Sequence, residues 1–241
     1  MPVAVVVLAA GQGKRMHSAL PKVLQPLAGR PLLEHVIRAA RGLSPAAIHV
    51  VYGYGGEQVR AAFAEQTDLR WVLQAEQLGT GHAVTQAMPN IPDGQQVLIL
   101  CGDVPLIRTS TLRRLAADAV GGNPALLTAI VDDATGYGRV LRNARGDVTR
   151  IVEHKDATDD ERRGNEINTG LMAFEAGALR RYLAKLTNKN AQGEYYLTDT
   201  IEFFVRNGKR VSAVVAPRVD ECLGVNTPDD LAAAERAMDR T

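Results

Sequence analysis

Short, unbroken apolar runs and longer amphipathic stretches take turns along the first hundred positions. Residues 3–7 (Val-Ala-Val-Val-Val) form a run of the kind found in a strand buried on both faces. Pro31 opens a helix whose apolar face is Leu32, Leu33, Val36, Ile37 and Ala40, and Gly42 stops it. A strand follows at residues 48–52, a turn at 53–56, a helix at 57–65 and a strand at 69–73. Residues 97–100 make a further buried run, which carries Cys101, Gly102 and Asp103 to its carboxyl end. This rhythm predicts an α/β fold, a mixed but mostly parallel sheet flanked by helices on both faces.

After Asp133 the pattern shifts. Residues 138–143 and 148–153 alternate apolar and polar, with a hairpin turn at Ala144-Arg145-Gly146. A strand is expected at 166–174, helices at 175–186 and 198–207, with Gly208 as the second one's stop, and a strand at 211–216. The last helix has Thr227 at its N-cap, Pro228 at N1, and Asp229 and Asp230 in its first turn. No repeat or linker divides the chain. The expectation is one domain, with a first half to about residue 133, a second half over about 134–226, and a closing helix over 227–241.

Composition narrows the class. The chain has 241 residues, 46% of them hydrophobic, and a net charge of +1. That charge gives no general attraction to nucleic acid or to anionic membrane, so local basic clusters are left to serve small anions. No apolar run approaches the length of a membrane span, and the amino terminus lacks the pattern of a secretory signal. Cys101 and Cys222 are far apart and form no metal-type pair. A cytoplasmic enzyme is expected.

The chemistry concentrates in a few stretches. Leu8-Ala9-Ala10-Gly11-Gln12-Gly13-Lys14-Arg15-Met16, with Leu20-Pro21-Lys22 after it, follows the first strand. Gly11 and Gly13 allow a tight turn, its amides form an anion-binding concavity, and Arg15 and Lys22 add positive charge. The spacing is neither a P-loop nor a full G-x-G-x-x-G. Asp103, placed after Gly102 and before Pro105, suits a hard cation such as Mg²⁺, and Asn226 offers a second oxygen. Gln74, Gly79 and Thr80 lie in a run that begins a helix, where amides favour polar ligand edges. The Gln74 amide both donates and accepts, as the edge of a pyrimidine requires. Gly138 exposes backbone, while Glu153 and Asn168 place polar groups on strands.

These stretches together resemble the uridyltransferase domain of the bifunctional N-acetylglucosamine-1-phosphate uridyltransferase / glucosamine-1-phosphate acetyltransferase. Further matching runs are 135–139, 153–156, 166–170 and 190–199. The resemblance implies a Rossmann-like fold and Mg²⁺-dependent synthesis of UDP-N-acetylglucosamine, a peptidoglycan and lipopolysaccharide precursor, from UTP and N-acetylglucosamine 1-phosphate, releasing pyrophosphate. It implies that Leu8, Ala9, Ala10, Gly11 and Gln74 hold the uracil, and that Gly13, Gly79, Thr80, Cys101 and Gly102 lie along the nucleotide. Arg15 and Lys22 grip phosphates, while Asp103 and Asn226 take the metal. Gly138, Glu153, Asn168 and Thr169, with Asn226, bind the sugar. Two positions depart from the family pattern: Lys14 stands where Thr or Ser is commoner, and Cys101 where Tyr is common. The family's second half, a trimer-forming β-helix, has no counterpart, so the chain is expected to be the first half of a longer protein; the alternative is a stand-alone transferase. Transfer of another nucleotide or sugar, and non-catalytic sensing of a nucleotide sugar, stay open as rival readings.

Overall fold

The computed structural model describes residues 1–239. The end of the expected closing helix, residues 240 and 241, lies outside the described residues. In chain order the strands are β1 (Val3–Ala9), β2 (Pro26–Leu27), β3 (Arg30–Pro31), β4 (Ala47–Tyr52), β5 (Leu69–Leu73), β6 (Gln96–Cys101), β7 (Ala125–Ile130), β8 (Arg139–Arg142), β9 (Val148–Val152), β10 (Glu166–Glu175) and β11 (Ser212–Val215). The helices are α1 (Leu32–Arg41), α2 (Gly56–Ala62), α3 (Thr80–Ala87), α4 (Thr109–Asp118), α5 (Asp159–Arg162), α6 (Ala176–Leu183), α7 (Asp199–Arg206) and α8 (Pro228–Met238).

Nine strands join one sheet, ordered β11-β7-β10-β6-β1-β4-β5, with β8 paired to β10 and to β9. β1 runs parallel to β4 and β6, and β11 runs parallel to β7. β10 runs antiparallel to both β6 and β7, so it is reversed within the central run of a mostly parallel sheet, and β9 runs in the same sense as β10. Its pairing with β7 shifts between Asn168 and Met172, around Gly170. The sheet is buried on both faces, which is why β1 and β6 read as continuous apolar runs. One face packs Val5, Val7, Leu98 and Leu100 against Leu33, Val36 and Ile37 of α1 and Leu112 and Leu115 of α4. The other packs Ala4, Val6, Val97 and Ile99 with Val84 of α3, Leu179 of α6 and Phe204 of α7.

A third, smaller cluster of Met16, Leu27, Leu32, Val225 and Ala234 holds α8 beside the β2–β3 hairpin. Met16 adjoins Arg15 and Val225 adjoins Asn226, so this cluster fixes the backbone beside two of the expected site residues. Two major elements go beyond the hydrophobic pattern, α4 and β7. α4 shows only Leu112 and Leu115 as large buried apolar groups, a thin stripe for a helix.

Candidate active site

The site opens where the carboxyl ends of β1 and β6 meet, the position at which open α/β sheets bind ligands. A cavity of about 270 Å³ there is lined by Leu8, Ala9, Ala10, Gly11, Lys22, Gln74, Gly79, Thr80, Cys101 and Asp103, together with Val23, Gln77, Ala83 and Glu194. Most of the expected nucleotide residues therefore meet in one place. Gln77 and Glu194 had a signal in sequence, since both lie inside the matching runs beside Gly79 and Gly193. Gly13, Gly102 and Arg15 stand outside the lining. Gly13 has φ +62, and a Cβ on it would fall 2.4 Å from Lys22 Cβ, so this glycine lets the Lys22 stem pass. The Gly102 N–H donates to Leu8 O at 2.8 Å, tying the β6 end to β1. Arg15 is exposed on a single 3-10 turn over Lys14–Met16.

The charged centre joins three distant segments. Lys22 Nζ donates to Asp103 Oδ2 and, at 2.9 Å, to Asn226 Oδ1. Backbone bonds set this geometry: Val225 N–H donates to Asp103 O at 2.8 Å, and Asn226 N–H donates to Asp230 Oδ2 at 2.9 Å. The same Asp230 carboxylate accepts from Thr227 N–H, completing the capping box of α8. Asp103 and Asn226 thus converge on a single cation position. One carboxylate and one amide oxygen fit Mg²⁺, which takes one or two protein oxygens and completes its shell with phosphates and water.

Gln74 is buried at the end of β5, and its Nε2 bonds Gly79 O and His82 Nδ1, both at 3.1 Å. Its Oε1 is left to accept from a ligand. Cys101 is pushed up to about 12 by burial, so its thiol stays neutral beside Asp103. Gly170 of β10 lies against it, where a Cβ would come 2.9 Å from Cys101 Sγ.

Of the expected sugar residues, Gly138, Glu153, Asn168 and Thr169 sit around the β8–β9 hairpin, while Asn226 lies with Lys22 and Asp103. Gly138 O accepts from Asn168 N–H at 2.9 Å, and a Cβ on Gly138 would stand 3.4 Å from Glu153 Oε2. Glu153 Oε1 accepts from Thr198 Oγ1 at 2.8 Å, and burial raises the Glu153 carboxyl above the usual range, with Asp156 and Glu194 adding to it. Asp199 is driven to about 6, first by burial and then by Glu153 and Glu202. Thr169 is turned to structural work: it is buried, and its hydroxyl donates to Leu127 O at 2.7 Å.

The segment over 194–198, which leads into α7, ties the two sides together. Tyr195 N–H donates to Leu78 O, Gly81 N–H to Tyr195 O, and Leu197 N–H to Thr80 Oγ1. The even-numbered residues reach the other way, Tyr196 OH to Asp156 Oδ2 at 3.0 Å and Thr198 to Glu153. Gly79 makes this possible: at φ +104, its missing Cβ would stand 2.7 Å from Tyr195 O. A wider open groove of about 930 Å³ lies along the β5 edge, with Glu57 and Arg60 as its charged lining residues; it contains neither Lys22 nor Asp103.

A mostly parallel sheet flanked by helices, opening at its carboxyl edge onto a glycine-rich turn with Lys22, Asp103 and Asn226 drawn together, has the architecture of a nucleotidyltransferase of the Rossmann-like class. The chain belongs to the MobA-like NTP transferase domain family, which its residues 5–190 match. It is 59% identical over 239 residues to the bifunctional protein GlmU of Stenotrophomonas maltophilia (strain R551-3), covering 99% of this chain and 52% of that protein. It is 55% identical to the bifunctional protein GlmU of Xanthomonas oryzae pv. oryzae (strain MAFF 311018), covering 98% and 52%. The chain therefore spans about half the length of these curated relatives. Among solved structures, a UDP-glucose pyrophosphorylase complexed with UDP-glucose superposes with TM-score 0.78 at 15% identity, over 100% of this chain and 99% of that one. A nucleotidyl transferase from Methanothermobacter thermautotroptrophicus superposes with TM-score 0.70 at 24% identity, over 99% and 98%. These two likenesses concern the fold. Among the described residues no helix is long and apolar enough to cross a membrane.

Proposed function

We propose that this chain transfers UMP from UTP to N-acetylglucosamine 1-phosphate, forming UDP-N-acetylglucosamine and pyrophosphate in the cytoplasm. The observation that carries the reading is the seat made by Asp103 and Asn226 beside Lys22, in the cavity that also holds Gln74. The 59% identity to a bifunctional protein GlmU supports the choice of uracil and of the acetylated sugar.

Uracil presents an N3–H donor where cytosine presents an acceptor. With Nε2 already engaged, Gln74 Oε1 accepts from uracil and opposes cytosine. A phosphate oxygen of the sugar phosphate, anionic at neutral pH, attacks the α-phosphorus of UTP without a strong general base. A P–O bond forms there as the bond to the bridging oxygen breaks, and pyrophosphate leaves with the electron pair. Positioning and charge stabilisation therefore supply the catalysis. Mg²⁺, when held by Asp103 and Asn226, supplies charge that offsets repulsion between the two anions. Lys22 and Arg15 hold the phosphates and the leaving group. Glu153 and Asn168, with Gly138, receive the sugar hydroxyls and the acetamido group.

The test is pyrophosphate release with UTP, CTP or dTTP paired with N-acetylglucosamine 1-phosphate or glucose 1-phosphate. Strong preference for UTP with the acetylated sugar is expected. Turnover only with another pair overturns the substrate assignment, and tight binding of UDP-N-acetylglucosamine without turnover overturns the transferase reading.

A further inference from the structure

Lys22 stands on the seat that a divalent ion would take. Its ammonium bonds Asp103 Oδ2 and Asn226 Oδ1 together, with the Lys22 and Asp103 side chains only 14% and 18% exposed. In this part-buried place the carboxylate needs a counter-charge, and Lys22 provides it. A magnesium ion needs the same oxygens at about 2.0–2.1 Å. An ammonium bonded to those oxygens would then lie within a few ångströms of the ion and repel it, so the two cations exclude each other.

The base of the Lys22 side chain passes close over Gly13, where an added Cβ would stand 2.4 Å from Lys22 Cβ. Beyond the base, the flexible stem keeps the charged end inside the nucleotide cavity, which Lys22 itself lines. Displaced from Asp103, the ammonium has anionic phosphates as its next partner.

We propose that Lys22 is a placeholder cation, which holds the Asp103–Asn226 seat in the free protein and yields it when a divalent ion enters. This inference rests on the assignment of Asp103 and Asn226 as metal ligands in the proposed function. Two consequences follow. The free protein binds metal weakly, and metal entry releases Lys22 toward the nucleotide phosphates, coupling the two events.

The test is Mn²⁺ binding to the nucleotide-free chain, followed by electron paramagnetic resonance of the unbound ion. Lys22→Met keeps the stem and removes the charge. Breaking a charge-assisted pair of this kind is expected to tighten Mn²⁺ binding roughly ten- to hundredfold, and adding Asp103→Ala to that variant is expected to cancel the gain. Equal affinity in the wild-type chain and Lys22→Met, with Asp103→Ala still weakening both, overturns the placeholder role and keeps the metal seat. A gain that survives Asp103→Ala overturns the seat itself, and the inference with it. A second readout needs no variant. Acetylation of the Lys22 amine, quantified by mass spectrometry against Lys155, is expected to rise several-fold in the wild-type chain at saturating Mg²⁺. No rise overturns the proposal.

Discussion

Replacing Asp103 with alanine leaves the Lys22 ammonium with Asn226 as its remaining partner in the seat. By comparison with other preorganised charge stabilisers, turnover is expected to fall on the order of 10²–10³. Pyrophosphate release at saturating Mg²⁺ reads this, and near-full turnover would remove Asp103 from the mechanism. His49 offers a stability test away from the chemistry. It is fully buried on β4, both ring nitrogens lack hydrogen-bond partners, and burial, helped by Arg70, lowers it from 6.5 to about 4. Between those values the unfolded chain takes up a proton that the folded chain refuses, so stability falls as pH drops through that window. Above 6.5 this group contributes no slope. Urea unfolding should show a loss of about 2 kcal/mol from this group between pH 7 and 5, absent in His49→Leu. At this scale the sequence was informative about Asp103, because glycine before it and proline after it mark a carboxylate at a strand end. The pairing of Lys22 with Asp103 was not readable, since the two are 81 positions apart and each had its own separate role.

The segment over 194–198 works as a brace between residues 78–81 and residues 153–156. Thr198→Val removes the hydroxyl that bonds Glu153 and leaves that carboxylate less well oriented. KM for the sugar phosphate should rise about tenfold, the scale of one hydrogen bond to a charged group, with KM for UTP nearly unchanged. A matching change in both constants would argue against a local role. Gly79→Ala should be harsher, because it combines φ +104 with a contact on Tyr195 O. Chemical denaturation is expected to show a loss of about 1–3 kcal/mol. Hydrophobic period located β1, β4 and β6 closely, because buried parallel strands are nearly apolar throughout, and it also found the edge strand β5 despite its exposed Arg70 and Leu73. It could not give the reversed direction of β10, which depends on the path of the chain rather than on side-chain pattern. Nor did it reveal the brace, whose bonds are mostly made by backbone groups.

At the level of the molecule, the requirement for a divalent ion can be tested directly. Chelation with EDTA should abolish turnover while leaving the circular dichroism of the sheet unchanged, and added Mg²⁺ should restore activity. Persistent turnover after chelation would refute the metal-assisted mechanism. The halves expected from sequence share one continuous sheet, so no break in the sheet separates them. The charged centre has a different consequence, for folding. Lys22 and Asn226 are 204 positions apart, and Asn226 is placed by the cap of the last helix. The sheet core can therefore assemble before the chemistry exists, and activity becomes a reporter of the final docking step. During synthesis, a nascent chain would stay silent until α8 clears the ribosome. Clipping between Gly224 and Thr227 should likewise silence the enzyme while most of its secondary structure survives.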